Sequence, residues 1–192
     1  VLRFYTKMSE IMLDLETLGT RPNSVILVLS AIKFDRSNKI NGDVDSKTLD
    51  KLDVFYERIC IDSCLNRGME IDESTMKWWS NQKNDVLWEA LKNPDRKQIE
   101  DVLIEFKRWI GISDILIWGN GSSFDCGILA ECYKKCDMKV PWKFWNERDL
   151  RTILELSDIS LRDVSSNNLH NAKYDCLRQI IALQRAYRYL ES

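Results

Sequence analysis

The chain has 192 residues, 44% of them hydrophobic, which is enough for one well-buried domain, and we expect residues 1–192 to form a single domain. Its 28 basic residues nearly balance 30 acidic ones, so it lacks the basic surplus of proteins that hold nucleic acid by charge alone. No apolar run approaches the ~18–20 residues that span a bilayer, and residues 1–7 are too few and too polar for a signal peptide. We expect a cytoplasmic protein that does not bind membranes.

Six cysteines occur without a secretion signal, which indicates free thiols in a reducing compartment. Cys60 with Cys64, and Cys132 with Cys136, have spacings that metal ligands can use. A zinc site, however, needs four convergent ligands, and the single histidine, His170, lies far along the chain from both pairs. We therefore expect all six cysteines to be packing residues.

Hydrophobic periodicity predicts a mixed α/β fold. The apolar runs predict strands at residues 11–16, 25–34, 52–61, 115–118 and 143–149, with a hairpin connection at 35–43. Helical spacing predicts helices at 73–82, 86–91 and 96–110, another beginning near residue 124, and a long one at 171–190. Hairpin-linked strands followed by strand–helix repeats predict a five-stranded sheet, three strands antiparallel and then two parallel, flanked by helices.

The first strand carries two carboxylates, Asp14 and Glu16. Residues two apart on a strand point to the same face, so both side chains enter one small volume. Burying them unpaired is costly, and a hard divalent cation such as Mg²⁺ or Mn²⁺ is the simplest compensation. The ordinary structural alternative is that one caps the loop near Gly19 and the other is solvated.

Two later positions carry similar chemistry. Asp125 follows an apolar strand and opens a helix, at the strand end where open α/β sheets bind ligands, although a first-turn carboxylate also suits the helix dipole. His170 and Asp175 stand at the entrance of the last helix. Five positions apart, they would diverge on one ideal helix, so we expect His170 in the preceding loop and Asp175 in the helix, converging on one site.

Taken together, Asp14-x-Glu16, Asp125 and Asp175, with His170 five residues before the last, resemble the DnaQ-like (RNase H-like) 3′→5′ exonucleases of the DEDD type. The histidine is typical of that family's DEDDh branch. The resemblance covers nearly the whole chain and is strongest to the phage exonuclease A (DexA) and RecE type. Three further stretches support it: 75–82 with its tandem tryptophans, 143–152 with Phe-Trp-Asn-x-Arg-Asp, and 186–189.

The resemblance implies that Asp14, Glu16, Asp125 and Asp175 hold two Mg²⁺ or Mn²⁺ ions and that His170 is the general base. Two metals can activate water, neutralise the transition state and assist the leaving oxygen, and a histidine of ordinary basicity suits proton abstraction at neutral pH. It also implies a single-stranded nucleic-acid substrate, with DNA slightly preferred, and the host cytoplasm as the location if a phage encodes the chain.

Substrate contacts follow from the same resemblance. It implies that backbone groups of Leu18, Gly19 and Thr20 meet the terminal nucleotide, with Gly19 permitting close approach because it lacks a side chain. We also assign Asn120 to substrate binding.

The tandem tryptophans, Trp78 and Trp79, could stack on a base. Neighbouring helix positions face different ways, so we expect one of the two in the core and one at the cleft. For Asp149 we expect a structural role, with a hydrogen bond to Arg148 or to the sheet edge.

Three alternatives remain open at this point. The same carboxylates would serve an exoribonuclease, since no residue in the sequence identifies the sugar. A nuclease-like binding module or proofreading subunit is disfavoured by the intact acidic set and His170. A hydrolase of small phosphorylated molecules is disfavoured by Trp78 and Trp79, which suit a base-bearing substrate.

Overall fold

The strands of the described residues, 9–111 and 114–192 of this computed structural model, form one mixed sheet. They are β1 (Ser9–Thr17), β2 (Ile26–Phe34), β3 (Asp53–Arg58), β4 (Ile115–Gly119) and β5 (Glu147–Asp149). Their order across the sheet is β3-β2-β1-β4-β5. The pairs β1–β2 and β2–β3 are antiparallel, whereas β1–β4 and β4–β5 are parallel. This confirms the predicted sheet of three antiparallel strands followed by two parallel ones.

Helices cover both faces of the sheet. They are α1 (Ser46–Leu49), α2 (Ile61–Asn66), α3 (Glu73–Ser80), α4 (Asn84–Leu87), α5 (Ile99–Ile110), α6 (Ser122–Lys135), α7 (Leu150–Ser157) and α8 (Ala172–Glu191). A π-helical turn, Trp88–Lys92, continues α4, and 3₁₀ turns occupy Phe144–Asn146 and Leu161–Asp163. None of the helices in the described ranges has the length and apolar character that crossing a membrane requires.

Side chains along β1 point alternately to the two faces of the sheet, and a separate hydrophobic core lies on each face. Ile11, Leu13 and Leu15 pack on the face covered by α5 and α6, and Met12 packs on the opposite face beneath α8. Burying a large aliphatic side chain contributes roughly 1.5–3 kcal/mol, so both cores hold this central strand firmly. Asp14 and Glu16 share the parity of Met12, and the fold therefore directs them toward α8.

Two stretches differ from the sequence prediction. The predicted strand at 143–149 is wrong in its first half, where Phe144–Asn146 is a 3₁₀ turn and only Glu147–Asp149 pairs with β4. The Asn146 side chain donates to Asp114, and the Trp142 indole donates to Glu147, which holds the segment as a turn. The predicted helix at 86–91 is an α-helix ending at Leu87 followed by the π-helical turn.

Several elements were absent from the sequence prediction. The connection after β2 extends beyond residue 43 and contains α1, whose first turn is capped by the Asp45 side chain. Helices α2 and α7, of six and eight residues, are also absent from the predicted set. All six cysteines are free thiols, and all but the half-buried Cys60 are buried, as expected of packing residues.

Candidate active site

The carboxyl end of β1 presents Asp14 and Glu16 at an opening in the sheet. Parallel pairing of β1 with β4 ends at Met12 and Trp118, and β1 continues past that point. A register shift against β2 between Glu16 and Thr17 marks the end of the regular ladder. The two carboxylates are still paired with β2 but lie beyond the end of the β1–β4 pairing, at the kind of crevice where α/β sheets bind ligands.

Helix α8 brings a third carboxylate to the same place. One carboxylate oxygen from each of Asp14, Glu16 and Asp175 lies within 4.8 Å of the other two. Gln179, one turn after Asp175, donates from Nε2 to Asp14 Oδ1 at 2.7 Å. Residues separated by about 160 positions thus converge because α8 packs directly across β1 and β2.

Asp125 lies behind this group of three. It is buried in the first turn of α6, and its Oδ1 accepts a hydrogen bond from the Leu15 amide at 3.2 Å. A Cβ at Gly119 would lie 3.0 Å from Asp125 Oδ2, so the glycine leaves room for this carboxylate. Gly121, with φ of 99°, allows the tight turn from β4 into α6.

Burial dominates the electrostatics of the four carboxyl groups, and repulsion between carboxylates adds to it at Asp14 and Glu16. Burial raises the pKa of Asp14 most, and the charges of Asp125, Glu16 and Asp175 raise it further. Burial, followed by Asp175 and Asp125, raises the pKa of Glu16. Burial raises the pKa of Asp125 to about 7 and also raises the pKa of Asp175, although the His170 amide opposes the latter shift. This is a site that favours positive charge.

His170 is held in the loop before α8, as predicted. Its backbone amide donates to Asp175 Oδ2 at 2.8 Å, and its φ of 62° is in the left-handed region. The exposed imidazole meets the Trp78 indole edge to face, with ring centroids 5.0 Å apart and planes at 84°. Backbone and ring contacts together keep the histidine beside the acidic group.

A cavity of about 760 Å³ opens over these residues. Its volume lies in the usual range for small-ligand sites. Of the predicted site residues, it is lined by Asp14, Glu16, Gly19, Thr20, Trp78, Trp79, Asn120, His170 and Asp175. Asp125 and Leu18 stand behind the wall rather than on it.

The two tryptophans divide as expected. Trp79 is 1% exposed and its Nε1 donates to the Thr17 carbonyl at 2.9 Å, so it belongs to the core although it reaches the cavity wall. Trp78 is 42% exposed. Its ring packs edge to face on Trp79, with centroids 5.0 Å apart. Trp78 is therefore the tryptophan of the pair whose ring is exposed at the cavity.

In the loop after β1, contacts within the protein account for Leu18 and Gly19. The Leu18 amide donates to the Val25 carbonyl, and the Leu18 carbonyl accepts from the Asp72 amide. A Cβ on Gly19 would lie 2.4 Å from Ser24 Oγ. The absence of a side chain at Gly19 is thus already explained by packing against Ser24, without a ligand.

Asp149 has the structural role expected of it, with different partners. Its Oδ2 accepts from the Ser122 amide at 2.6 Å and its Oδ1 accepts from the Thr152 amide at 3.0 Å. It therefore caps α7 and ties it to the start of α6. The predicted bond to Arg148 is wrong, since Arg148 donates to the carbonyls of Trp145 and Glu147.

A family model described as the 3′-5′ exoribonuclease Rv2179c-like domain matches residues 9–187 of this sequence. The chain belongs to this family. It is accordingly a 3′→5′ exonuclease, a hydrolase of the DnaQ-like class that its sequence resembles.

Named relatives agree with this assignment to the Rv2179c-like family. The exodeoxyribonuclease of Enterobacteria phage T4 is 25% identical over 95% of this chain and 90% of its own length. The E. coli ExoI–single-stranded DNA complex in its zinc-bound form matches 97% of this chain with 16% identity and a TM-score of 0.62, and this chain spans 43% of it. The nuclease domain of 3′hExo, a DEDDh family member bound to rAMP, matches 96% of this chain and 94% of that domain, with 12% identity and a TM-score of 0.56. At these identities the structures show a shared RNase H-like fold.

A divalent metal fits the donors of this Rv2179c-like site. Asp14, Glu16 and Asp175 offer hard oxygen ligands. Burial raises the pKa of all three, and carboxylate repulsion raises that of Asp14 and Glu16 further, which a cation would relieve. Beside them the buried Gln179 Oε1 has no hydrogen-bond partner among the described residues.

The cavity also contains residues that sequence reasoning missed. Gln179 follows Asp175 by one helical turn, so the sequence alone predicts that the two side chains lie on the same face of α8. Arg151 and Arg178 contribute guanidinium groups to the wall, and Ser74 and Thr75 contribute hydroxyls. Arg178 donates to the carbonyls of Val164 and Leu161, and only the folded chain brings those carbonyls within its reach.

Proposed function

We propose that this exonuclease hydrolyses single-stranded nucleic acid from its 3′ end, DNA slightly in preference to RNA, and releases nucleoside monophosphates with the aid of two Mg²⁺ or Mn²⁺ ions. The observation that carries the proposal is the convergence of Asp14, Glu16 and Asp175 within 4.8 Å, in a cavity that also contains His170.

In this proposal Asp14, Glu16, Asp125 and Asp175 hold the ions. Bound divalent ions would supply charge neutralisation at the scissile phosphate and lower the barrier to water attack and leaving-group departure. The chain's own contribution is positioning. Gln179 orients Asp14, and the Leu15 amide holds Asp125 against β1.

His170 serves as the general base in the proposal. A ring nitrogen of the neutral imidazole takes a proton from the attacking water, while the 3′ oxygen of the preceding nucleotide leaves. The His170 amide bond to Asp175 Oδ2 couples the position of the base to the acidic group. The Trp78 contact limits the ring's motion from the other side.

The terminal nucleotide would lie in the cavity between these groups. We propose that the exposed Trp78 ring stacks on a base, and that Gly19, Thr20 and Asn120 line its sugar and phosphate. Leu18 acts indirectly, because both of its backbone groups already hold the loop. Arg151 at the cavity wall suits a phosphate.

Two observations favour different sugars. The T4 relative is an exodeoxyribonuclease, whereas the family description names an exoribonuclease. Thr20, Ser74 and Thr75 place hydroxyls at the cavity wall, and hydroxyls can donate to or accept from a 2′-hydroxyl. RNA is therefore the second candidate substrate.

The test is incubation with Mn²⁺ and 5′-labelled single strands of DNA and RNA of equal length and sequence. The proposal predicts a ladder of products shortened from the 3′ end, and faster shortening of DNA. A ladder on RNA alone would assign the exoribonuclease activity. Asp14→Asn is the matched control, and cleavage that survives in it would indicate a contaminating nuclease.

A further inference from the structure

An exposed aromatic pair lies at the β5 edge of the sheet, outside the cavity. Phe144 is 76% exposed and Trp145 is 59% exposed, and their rings meet edge to face with centroids 4.9 Å apart. Lys143 places its Nζ 5.6 Å from the centre of the Trp145 ring. We name these residues, with Arg148, the edge platform.

Hydrogen bonds fix the residues that flank the two exposed rings of the edge platform. Asn146 is buried and donates to Asp114, and the mostly buried Trp142 donates from Nε1 to Glu147 Oε1 at 2.9 Å. Arg148 donates to the Trp145 carbonyl at 2.8 Å. Phe144 and Trp145 are thus held outward by neighbours that are themselves anchored, so a ligand would lose little entropy in ordering them.

Two guanidinium groups, those of Arg148 and Arg151, lie along the path from the rings to the cavity. Asp114 is paired with Lys143 at 3.1 Å, and Asp149 accepts from two backbone amides. Within the described part of the chain, Arg148 and Arg151 have no carboxylate within ion-pair distance. Exposed rings beside unpaired guanidinium groups are the combination that binds single-stranded nucleic acid.

The edge platform is also continuous with the cavity. Strand β5 follows the edge platform and leads toward the start of α7, spanning about 7 Å from Glu147 to Asp149 at the usual rise per strand residue. Arg151 follows in the first turn of α7, where it lines the cavity and points its Nε at Asn120 Oδ1, 3.4 Å away. A strand whose 3′ end is in the cavity could therefore cross Arg151 and reach the two rings within a few nucleotides.

We propose that the edge platform binds the upstream part of the single-stranded substrate, with bases stacked on Phe144 and Trp145 and phosphates beside Arg148 and Arg151. The proposal rests on the proposed function, since it extends the same substrate beyond the cavity. It makes binding depend on strand length, because a strand of one or two nucleotides cannot reach the rings.

The test compares Phe144→Ala, Trp145→Ala and the double variant with Trp88→Ala. Trp88 is a matched control, because it is 55% exposed on the π-helical turn, which packs against β2, and β1 and β4 lie between β2 and β5 in the sheet. Affinity is measured by fluorescence anisotropy in EDTA, so that cleavage is not needed, with labelled single strands of about 2 and about 16 nucleotides. Hydrolysis of the p-nitrophenyl ester of thymidine 5′-monophosphate with Mn²⁺ measures activity in the cavity without any contact to the edge platform.

We expect each platform variant to lose about 5- to 150-fold in affinity for the longer strand, the equivalent of one lost base stack. Affinity for the shorter strand should fall less, and hydrolysis of the ester should stay within about twofold of wild type. Unchanged affinity for the longer strand, or an equal loss in Trp88→Ala, would overturn the proposal. A platform variant that instead converts a dimer to a monomer in sedimentation, with strand affinity retained, would assign the surface to a second copy of the chain.

Failure of the proposed function gives a different result. Wild-type protein that hydrolyses neither the ester nor any strand would remove the exonuclease activity. The anisotropy comparison would still decide whether the edge platform binds single strands.

Discussion

The carboxylate of Asp125 accepts a hydrogen bond from the backbone amide of Leu15, at 3.2 Å and across 110 positions of sequence. Leu15 separates Asp14 from Glu16, so this bond joins α6 to the strand that carries both of those carboxylates. Asp125 consequently has two roles that substitution can separate. It contributes negative charge to the site, and it satisfies a buried backbone donor.

The contrast between Asp125→Asn and Asp125→Ala tests those two roles. The amide oxygen of asparagine can still accept from Leu15, whereas alanine leaves that buried N–H unpaired at a cost of about 1–3 kcal/mol. Both variants should lose cleavage, because both lose the charge. Urea unfolding and the product ladder are the measurements, and equal stability of the two variants would show that the Leu15 bond contributes nothing.

The metal-free protein should become less stable as pH rises from about 4 toward 7 and above. Carboxyl groups in the unfolded chain ionise near pH 4. Burial holds the pKa of Asp125 at about 7 and raises that of Asp14 and Glu16, with like-charge repulsion adding to the latter two. In that window the folded state binds more protons than the unfolded state, so the free energy of unfolding falls with increasing pH. Thermal unfolding in EDTA across pH measures this slope.

Two additions to the same experiment identify the cause. Asp14→Asn should flatten the slope and leave the metal-free protein as stable as wild type or more so, since it removes one repelling charge. Mg²⁺ or Mn²⁺ should raise the melting temperature most at the upper end of the window, where the ligands are ionised. An unfolded Asp14→Asn protein, or cleavage that persists in EDTA, would contradict the metal site.

Replacing each tryptophan with alanine should affect a different property: strand affinity for Trp78 and stability for Trp79. Trp78→Ala should weaken single-strand affinity by about 1–3 kcal/mol with little loss of stability, because the ring is partly exposed at the cavity. Trp79→Ala should cost about 3–5 kcal/mol of stability, because it removes a buried indole together with its bond to Thr17. Anisotropy and urea unfolding check both. Similar stability losses with unchanged affinity would remove Trp78 from the substrate site.

His170→Ala should lower the single-turnover rate by about 10²–10⁴-fold, the usual scale for a lost acid–base catalyst. A base must be neutral to accept a proton, so the wild-type rate should rise with pH until the imidazole is neutral. The variant should lose the part of the pH dependence that comes from the imidazole and keep the part that comes from ionisation of the carboxylates. Mn²⁺ affinity and strand affinity should change little, since the carboxylates and the cavity wall remain.

The left-handed backbone of His170 calls for a second variant. Asparagine adopts positive φ more readily than alanine does, so His170→Asn removes the base with less backbone strain. Matching rate losses in the two variants would attribute the effect to the imidazole. Wild-type turnover in either one would return His170 to a structural role.

Local periodicity was sufficient to predict the sheet and where the acidic residues lie on it, whereas the roles of those residues were implied by the resemblance to the DEDDh exonucleases. Strand alternation placed Asp14 and Glu16 on one face, and helical spacing separated His170 in its loop from Asp175 in α8. These are relationships over a few residues, set by covalent geometry. The turn at Phe144–Asn146 was missed for the same reason, because three residues are too few for a period to show, whereas α7 has apolar residues at Leu150, Ile153 and Leu154 and could have been predicted.

Only the tertiary structure decided which side chains face the cavity and which support it. Trp78 and Trp79 are equivalent in sequence, and the Thr17 carbonyl, 62 positions from Trp79, determines that Trp79 is the buried one. In the same way, Ser24 determines the need for glycine at position 19, and the Leu15 amide holds Asp125 behind the wall. Each depends on a contact between segments distant along the chain, and such contacts form only when the sheet and its helices pack together.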